Sequence, residues 1–249
     1  MKTSFLFRWV GLLGWCAGRA LASEPVTLTA ADGVRVFGQY YSAPGKAKAL
    51  ILLFHQAGSN AGEYGAIAPR LNEAGYSCLA IDQRSGGTRW GRANRTVESL
   101  GREADYLDTL QDMEAALAWA KNNHPLSKVA VWGSSYSASL VFLLAARHAG
   151  DVSAVLAFSP VEYLPGRHTV RDAVAHVRVP VFVTSAQDEG EIRAAREILA
   201  AAPAEKKAQF IPRQGGVHGS STLLADANTR GAPSVWRATL EFLSEAIQP

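Results

Sequence analysis

The sequence predicts an α/β domain with a mostly parallel central sheet and helices on both faces. Short, apolar and β-branched segments alternate with segments of helical periodicity along the chain, and this alternation is typical of such a sheet. Polar residues gather where the predicted strands end. Neither an internal repeat nor a linker divides residues 23–249, so we expect a single domain, and roughly 225 residues suffice for one large core.

The first 22 residues predict a secretory signal peptide. Two basic residues precede an apolar run at 9–17, and the small residues Ala20 and Ala22 suit a signal-peptidase site before Ser23. The apolar run is too short to cross a bilayer, which favours cleavage over a membrane anchor. We therefore expect an exported protein, periplasmic or extracellular, without a stable membrane anchor.

Charge and cysteine content exclude several function classes. The chain has 25 basic and 22 acidic residues, and residues 1–22 hold three of the basic ones and no acids, which leaves 22 of each sign. The remaining domain is formally neutral, so we expect no nucleic-acid partner. Outside residues 1–22, Cys78 is the one cysteine, and no intramolecular disulfide is expected.

The elements of the first half follow from periodicity and turn residues. A hairpin precedes a continuous apolar strand, a polar loop, a helix that ends at Gly75, and a second strand. The predicted ranges are strands 27–30, 34–41, 49–54 and 77–81, and helix 63–73. Residues 85–104 show no period and contain Trp90 and four arginines. They could be a loop that meets a polar substrate group, but a solvated surface excursion is favoured.

The second half continues the alternation of strands and helices. The predicted strands are 129–132, 152–158, 180–185 and 208–211, and the predicted helices are 106–122, 136–147, 170–175, 192–201 and 234–247. A long insertion after Phe158 is absent from the sequence, so we expect no large cap over the carboxyl ends of the strands.

A strand, a tight turn and a helix follow one another around Ser135. Gly133, Ser135 and Ser137 form a small-x-Ser-x-small pattern, which is typical of a nucleophile elbow. The two outer positions must be small because the backbones of strand and helix approach closely there. Ser134 as the nucleophile would place the bulky Trp132 at such a position, so Ser135 is the predicted nucleophile.

Reactive side chains follow four predicted strands, as His55, Ser135, Asp188 and His218. The carboxyl ends of parallel strands line one crevice, so these residues can meet there. A serine hydroxyl needs a base to take its proton, and an imidazole held by a carboxylate is the usual base. We predict Ser135 as nucleophile, His218 as base and Asp188 as the acid that orients the histidine.

Each of these roles has an alternative. His218 could be an ordinary surface-loop histidine, although the glycines around it favour a close approach to other backbone. Asp188 could instead cap the following helix, and Glu189, Glu191 or Glu162 could then serve as the acid.

A metal hydrolase is a further hypothesis, because His55, Asp82, Asp188 and His218 all follow strands. No short ligand spacing supports it, so we expect neither a metal nor another cofactor.

With these motifs, the sequence resembles the α/β-hydrolase superfamily, and within it small lidless proteins similar to dienelactone hydrolases. The resemblance covers nearly all of residues 25–248, with 54–60 similar to the oxyanion loop. The usual His-Gly-x of that loop has Gln56 at its glycine, so the N–H of either Gln56 or Ala57 could complete the oxyanion hole. The register favours Ala57, with the N–H of Tyr136 as second donor.

The resemblance implies a secreted serine esterase that cleaves small esters through an acyl-enzyme. Dienelactone hydrolases proper use a cysteine nucleophile, so the serine here implies ester chemistry without implying that substrate. The alternatives are a peptidase or amidase with the same triad, or a non-catalytic binding domain of the same fold.

Overall fold

The computed structural model of the chain describes residues 23–247, and the predicted signal peptide lies outside this range. Within the range, eight strands form one sheet in the order β1-β2-β4-β3-β5-β6-β7-β8. The strands are β1 (Ser23–Thr29), β2 (Arg35–Tyr41), β3 (Leu50–Phe54), β4 (Ser77–Asp82), β5 (Val129–Ser134), β6 (Ala154–Phe158), β7 (Val181–Thr184) and β8 (Lys207–Phe210). β1 and β2 form an antiparallel hairpin that pairs antiparallel with β4, and the other pairs are parallel.

Seven α-helices cover the sheet in the described range. They are α1 (Ile67–Glu73), α2 (Arg95–Leu100), α3 (Leu110–Asn123), α4 (Tyr136–Arg147), α5 (Thr169–Val174), α6 (Glu189–Ala201) and α7 (Ala232–Ala246). Three 3₁₀ turns occur at Ala61–Tyr64, Leu107–Thr109 and Gly219–Leu223.

The core consists of two apolar clusters, one on each face of the sheet. Alternate residues of β3 belong to different clusters: Leu52 packs with α3 to α6, and Ile51 packs with α1 and α7. A strand covered on both faces must be apolar at every position, and all of β3 is buried. The predicted fold class, with helices on both faces and no large cap, is confirmed.

The predicted element order is confirmed, with differences in detail. The helices expected at 63–73 and 106–122 each begin as a 3₁₀ turn, Ala61–Tyr64 before α1 and Leu107–Thr109 before α3. α2 lies inside the stretch 85–104 that shows no period, and α6 begins three residues earlier than expected, at Glu189. No helix of residues 23–247 is long and apolar enough to span a membrane.

Cys78 lies inside the sheet, on β4. Its thiol is free and fully buried, and burial raises its pKa well above the ordinary range of a cysteine. Its neighbours across the sheet are Tyr41 on β2 and Ile51 on β3.

Candidate active site

Ser135 occupies the turn between β5 and α4. Its φ of 60° and ψ of −123° lie in a region that non-glycine residues rarely adopt, as the sharp reversal from strand to helix requires. The strain is held by packing and by a hydrogen bond of 2.8 Å from its N–H to the carbonyl of Phe158. Ser135 is 7% exposed, and its side chain faces the loop that carries His218.

The small residue two positions before Ser135 is required, as predicted. A Cβ atom at Gly133 would lie 2.2 Å from the carbonyl oxygen of Ser137, so only glycine fits there. The hydroxyl of Ser137 donates to the carbonyl of His55 at 2.7 Å and accepts from the side-chain amide of Gln83 at 2.9 Å. A serine at the last small position therefore joins the elbow to the ends of β3 and β4.

The imidazole of His218 lies between a hydroxyl and a carboxylate. Its Nε2 is 2.8 Å from Oγ of Ser135, and its Nδ1 is 2.8 Å from Oε1 of Glu191. The carboxylate can only accept, so Nδ1 donates to it and Nε2 is left to accept from the serine hydroxyl. The structure thus brings together two of the three predicted residues, and it supplies a different acid.

The prediction of Asp188 as that acid is wrong. Asp188 is exposed at the N-cap of α6, where its side chain accepts the N–H of Glu191 at 3.0 Å. Glu191, three residues into the helix, is turned back toward the sheet and reaches His218. The spacing Asp188-x-x-Glu191 matches a capping box, and this was the sequence signal that could have identified Asp188 as the cap.

Glu189 is the exposed first residue of α6, and Glu162, a further acid considered, is engaged elsewhere. The two carboxylate oxygens of Glu162 accept the N–H groups of Val170 and Arg171 at 2.9 and 3.0 Å, at the start of α5. It acts as a cap for that helix, so Glu191 is the acid that the structure places against His218.

The carboxylate of Glu191 is held in its ionised form. Burial opposes ionisation, but hydrogen bonds from His218, from the hydroxyl of Ser159 and from the N–H of Ala186 outweigh it and lower the pKa of Glu191. Ser159 is a second strained residue, with φ of 60°, and its Oγ also accepts the N–H of Gly219 at 2.9 Å. Ser159 therefore links Glu191 to the loop that carries His218. No pattern in the sequence indicated this role.

The candidate donors of an oxyanion hole are backbone N–H groups of the elbow and of the oxyanion loop. Tyr136 is the first residue of α4, so its N–H has no acceptor one turn earlier in the helix. The N–H of Gln56 donates to the carboxyl group of Glu63 at 3.0 Å. Of the two alternatives in the oxyanion loop, Gln56 is therefore already engaged, and Ala57 is left as the second donor.

His55 contrasts with His218, because both of its ring nitrogens are engaged with the backbone. Nδ1 contacts the carbonyl of Gln56 at 2.8 Å, and Nε2 accepts the N–H of Gln83 at 2.9 Å. Burial lowers the pKa of His55 to about 4, so the ring is neutral at ordinary pH.

The residues considered for a metal site are thus committed to separate interactions. Asp82 binds the guanidinium of Arg92 at 2.6 Å and accepts the N–H groups of Ala61 and Arg95. In the described part of the chain, no three His, Cys, Asp or Glu side chains are placed to hold a metal ion.

The segment 86–94, which we call the strap, is fastened to the oxyanion loop. The Asn60 side chain donates to three carbonyls of the strap, and the indole N–H of Trp90 donates to Oγ of Ser59 at 3.0 Å. Most side chains of the stretch 85–104 are exposed or half-buried, as a solvated excursion requires, but Asn60 and the buried Asn94 anchor the backbone of the strap. The signal was the pair of asparagines, whose amides bind backbone in turns.

A cavity of about 690 Å³ lies beside the elbow. Its lining residues are Ser85, Glu103, Ala104, Asp105, Tyr106, Leu107, Asp108, Tyr163 and Pro165. The ring of Tyr106 stacks on that of Tyr136 at 4.4 Å between centroids. Burial raises the pKa of Tyr163, and the hydroxyl of Ser135 is close enough to oppose that shift. Residues 133–137 and His218 do not line the cavity, and Tyr106 and Tyr163 connect it to Tyr136 and Ser135.

A model of the protein family described as serine aminopeptidase, S33, matches residues 45–191, which is more than half of the chain. The chain belongs to this hydrolase family. The matched range includes Ser135 and Glu191 and ends before His218, so the geometry above supplies the histidine that the family match does not reach.

A curated relative of this S33 family member is a monoacylglycerol lipase of Mycolicibacterium smegmatis. The two are 28% identical over 146 residues, which cover 58% of this chain and 50% of that protein. The match thus spans about half of the relative's length.

Several solved structures have the same fold as this S33 family member. A dienelactone hydrolase of Anabaena variabilis superposes with a TM-score of 0.70 at 17% identity, over 91% of this chain and 99% of that one. An esterase of Pyrococcus furiosus gives 0.67 at 18% identity over 90% and 93%, and a carboxyl esterase of Bacillus coagulans gives 0.70 at 11% over 91% and 99%. The fold is that of the α/β-hydrolases.

Proposed function

We propose that the protein is a serine hydrolase that cleaves small carboxylic esters through an acyl-enzyme. The observation that carries this proposal is the position of His218, with one ring nitrogen 2.8 Å from Oγ of Ser135 and the other 2.8 Å from the carboxylate of Glu191. Such an arrangement activates a serine hydroxyl, which is otherwise a weak nucleophile.

The first half of the reaction forms the acyl-enzyme. Oγ of Ser135 attacks the ester carbonyl carbon while its proton moves to Nε2 of His218, and Glu191 stabilises the imidazolium that forms. The negative charge that develops on the carbonyl oxygen is met by the N–H groups of Ala57 and Tyr136. When the carbon–oxygen bond to the alcohol breaks, the departing alcohol takes the proton from His218.

Water completes the cycle. His218 takes a proton from a water molecule, which attacks the acyl carbon, and the bond to Ser135 breaks as Oγ recovers the proton. The free carboxylic acid leaves, and the serine hydroxyl is restored.

The site favours small and accessible esters. No cap covers the strand ends within residues 23–247, and the cavity beside Tyr163 has the volume of a small-molecule pocket. A monoacylglycerol lipase among the relatives, and esterases among proteins of the same fold, support ester substrates for this chain.

A peptidase or amidase is the second candidate, favoured by two observations. The family is described as serine aminopeptidase, and Glu103, Asp105 and Asp108 line the cavity, where a substrate amine could bind. Comparing kcat/KM for an acetate ester of p-nitrophenol with that for an aminoacyl p-nitroanilide separates the two. A higher value for the anilide would replace the esterase proposal.

The decisive experiment is Ser135→Ala. We expect hydrolysis of p-nitrophenyl acetate to fall to background while the far-UV circular dichroism stays unchanged. A fluorophosphonate should label the wild type at Ser135, as peptide mapping would show. The matched control is Ser139→Ala, one turn further along α4, whose hydroxyl donates to the carbonyl of Val161 and does not contact His218. A fully active Ser135→Ala variant would exclude the mechanism.

Export is proposed from the sequence of residues 1–22. A signal peptide predicts that the protein isolated from the periplasm or medium begins at Ser23. N-terminal sequencing of the protein from each cell fraction tests this, and an intact N-terminus in the cytoplasmic fraction would contradict it.

A further inference from the structure

Glu63 is a buried carboxyl group behind the proposed catalytic site. It lies on the 3₁₀ turn Ala61–Tyr64 and is 1% exposed. Its Oε2 accepts the N–H of Gln56 at 3.0 Å, and its Oε1 has no hydrogen-bond partner among the described residues. Burial is the main cause of a raised pKa for Glu63. Carboxyl groups are rarely buried without a partner of opposite charge, so this position calls for an explanation.

Glu63 stands where the three loops of the site meet. The next residue, Tyr64, donates its hydroxyl to the carbonyl of Phe54 at the end of β3. Ser134, which precedes the proposed nucleophile, lies close enough to Glu63 to affect its pKa, and its Oγ accepts the N–H of Ser220 at 2.9 Å. Ser220, two residues after His218, also accepts the indole N–H of Trp132. The oxyanion loop, the elbow and the histidine loop thus share one buried polar layer.

The hydrogen bond from Gln56 determines which N–H group the oxyanion loop can offer. Residues 56–59 form a turn, with Gly58 at φ of 63° and the N–H of Ser59 bonded to the carbonyl of Gln56 at 3.3 Å. While the N–H of Gln56 is bound to Glu63, the turn cannot rotate without leaving that group unsatisfied in the interior, which is unfavourable. The N–H of Ala57 is the next donor in the chain, and it remains free for a substrate.

We propose that Glu63 is a positioning residue of the oxyanion hole, which fixes the turn at Gln56 so that the N–H of Ala57 is presented to the substrate. This inference rests on the proposed function. Glu63 does not touch the substrate, and its effect is transmitted through one backbone hydrogen bond.

Three substitutions at Glu63 separate this role from a general structural one. Glu63→Gln retains an oxygen that accepts the N–H of Gln56, so kcat for p-nitrophenyl acetate should stay within about threefold of wild type. Glu63→Ala removes the acceptor, and kcat should fall by about 10- to 100-fold with KM within twofold, because an oxyanion donor acts mainly in the transition state. Glu63→Asp is one methylene too short to reach Gln56, and it should lose about tenfold in kcat.

Asn72 provides the matched control. It is equally buried, carries one unpartnered oxygen, and binds the carbonyls of Tyr41 and Tyr76, the second of which lies just before the start of β4, away from the site. Asn72→Ala should lower the melting temperature about as much as Glu63→Ala while leaving kcat unchanged. If Glu63→Ala does not fold, Glu63→Asp decides by the same comparison of kcat with KM.

The inference is overturned if the folded Ala or Asp variant keeps wild-type kcat, or if Glu63→Gln loses as much activity as Glu63→Ala. A wild type without hydrolysis and without fluorophosphonate labelling contradicts the proposed function itself. If the wild type is active and the Glu63 variants have the same kcat as the wild type, only the role of Glu63 is contradicted.

Discussion

His55 and His218 both follow strands of the same sheet, yet their surroundings give them opposite properties. His55 is fully buried, both ring nitrogens bind backbone, and its pKa is lowered to about 4. His218 has a side chain that is 38% exposed, and it lies between a hydroxyl and a carboxylate. The first ring can neither take nor give a proton at neutral pH, whereas the second has a proton donor on one side and an anion on the other.

The comparison shows that residue type and location at a strand end are not sufficient for acid–base chemistry. A histidine acts as a base only when one nitrogen faces the reacting group and the other is held by an acceptor. In this molecule, that condition is met after β8 and not after β3.

The largest effect should come from His218→Gln. Without a base, the hydroxyl of Ser135 keeps its proton, and we expect kcat to fall by roughly 10⁵-fold. The free energy of unfolding should change by less than about 1 kcal/mol, because the side chain is partly exposed and loses few contacts. Steady-state assays with p-nitrophenyl acetate measure kcat, and urea denaturation measures the free energy of unfolding. A variant whose kcat is within tenfold of wild type would exclude His218 from the mechanism.

The next effect should come from Glu191→Gln. An amide can present its NH₂ group to the ring and favour the wrong tautomer, so we expect a loss of roughly 10³- to 10⁴-fold in kcat. Asp188→Ala is the matched control three residues earlier: it should keep kcat within about twofold and lower the stability by about 1 kcal/mol through loss of the N-cap of α6. The reverse pattern in steady-state kinetics would restore Asp188 as the acid.

The largest effect on stability should come from His55→Leu. The change leaves the N–H of Gln83 unsatisfied and removes one of the two hydrogen bonds of the Gln56 carbonyl, which also accepts the N–H of Ser59. This should lower the free energy of unfolding by about 1 to 3 kcal/mol.

The same variant should change how stability depends on pH. The folded pKa of His55, about 4, lies below its ordinary value of 6.5, so the unfolded chain binds the extra proton first as pH falls. Keeping His55 neutral contributes to the free energy of unfolding in full above pH 6.5. This contribution decreases as the pH falls from 6.5 to about 4, with a slope that approaches about 1.4 kcal/mol per pH unit. Urea titrations across this range should show a shallower slope for His55→Leu, and equal slopes would contradict this account of His55.

The parts of the fold and site that could be predicted from the sequence are those decided by local sterics and periodicity. The elbow is an example, because the crowding at Gly133 depends only on the reversal of strand into helix. The strands and α4 follow from apolar runs that a covered parallel sheet requires.

The parts that could not be predicted depend on where a helix begins or on which backbone group is free. Asp188 and Glu191 both follow β7, and the choice between them depends on the first turn of α6, which sequence patterns locate only to within a few residues. Likewise, the choice between Gln56 and Ala57 is decided by Glu63, a residue from the next turn whose burial has no signature in a single sequence.

The buried thiol on β4 makes local opening of the core measurable. Cys78 belongs to the apolar cluster that α1 and α7 cover, so a thiol-specific reagent can reach the sulfur only after that face of the sheet is uncovered. Its rate of modification in buffer without denaturant would therefore report how often this side of the core opens.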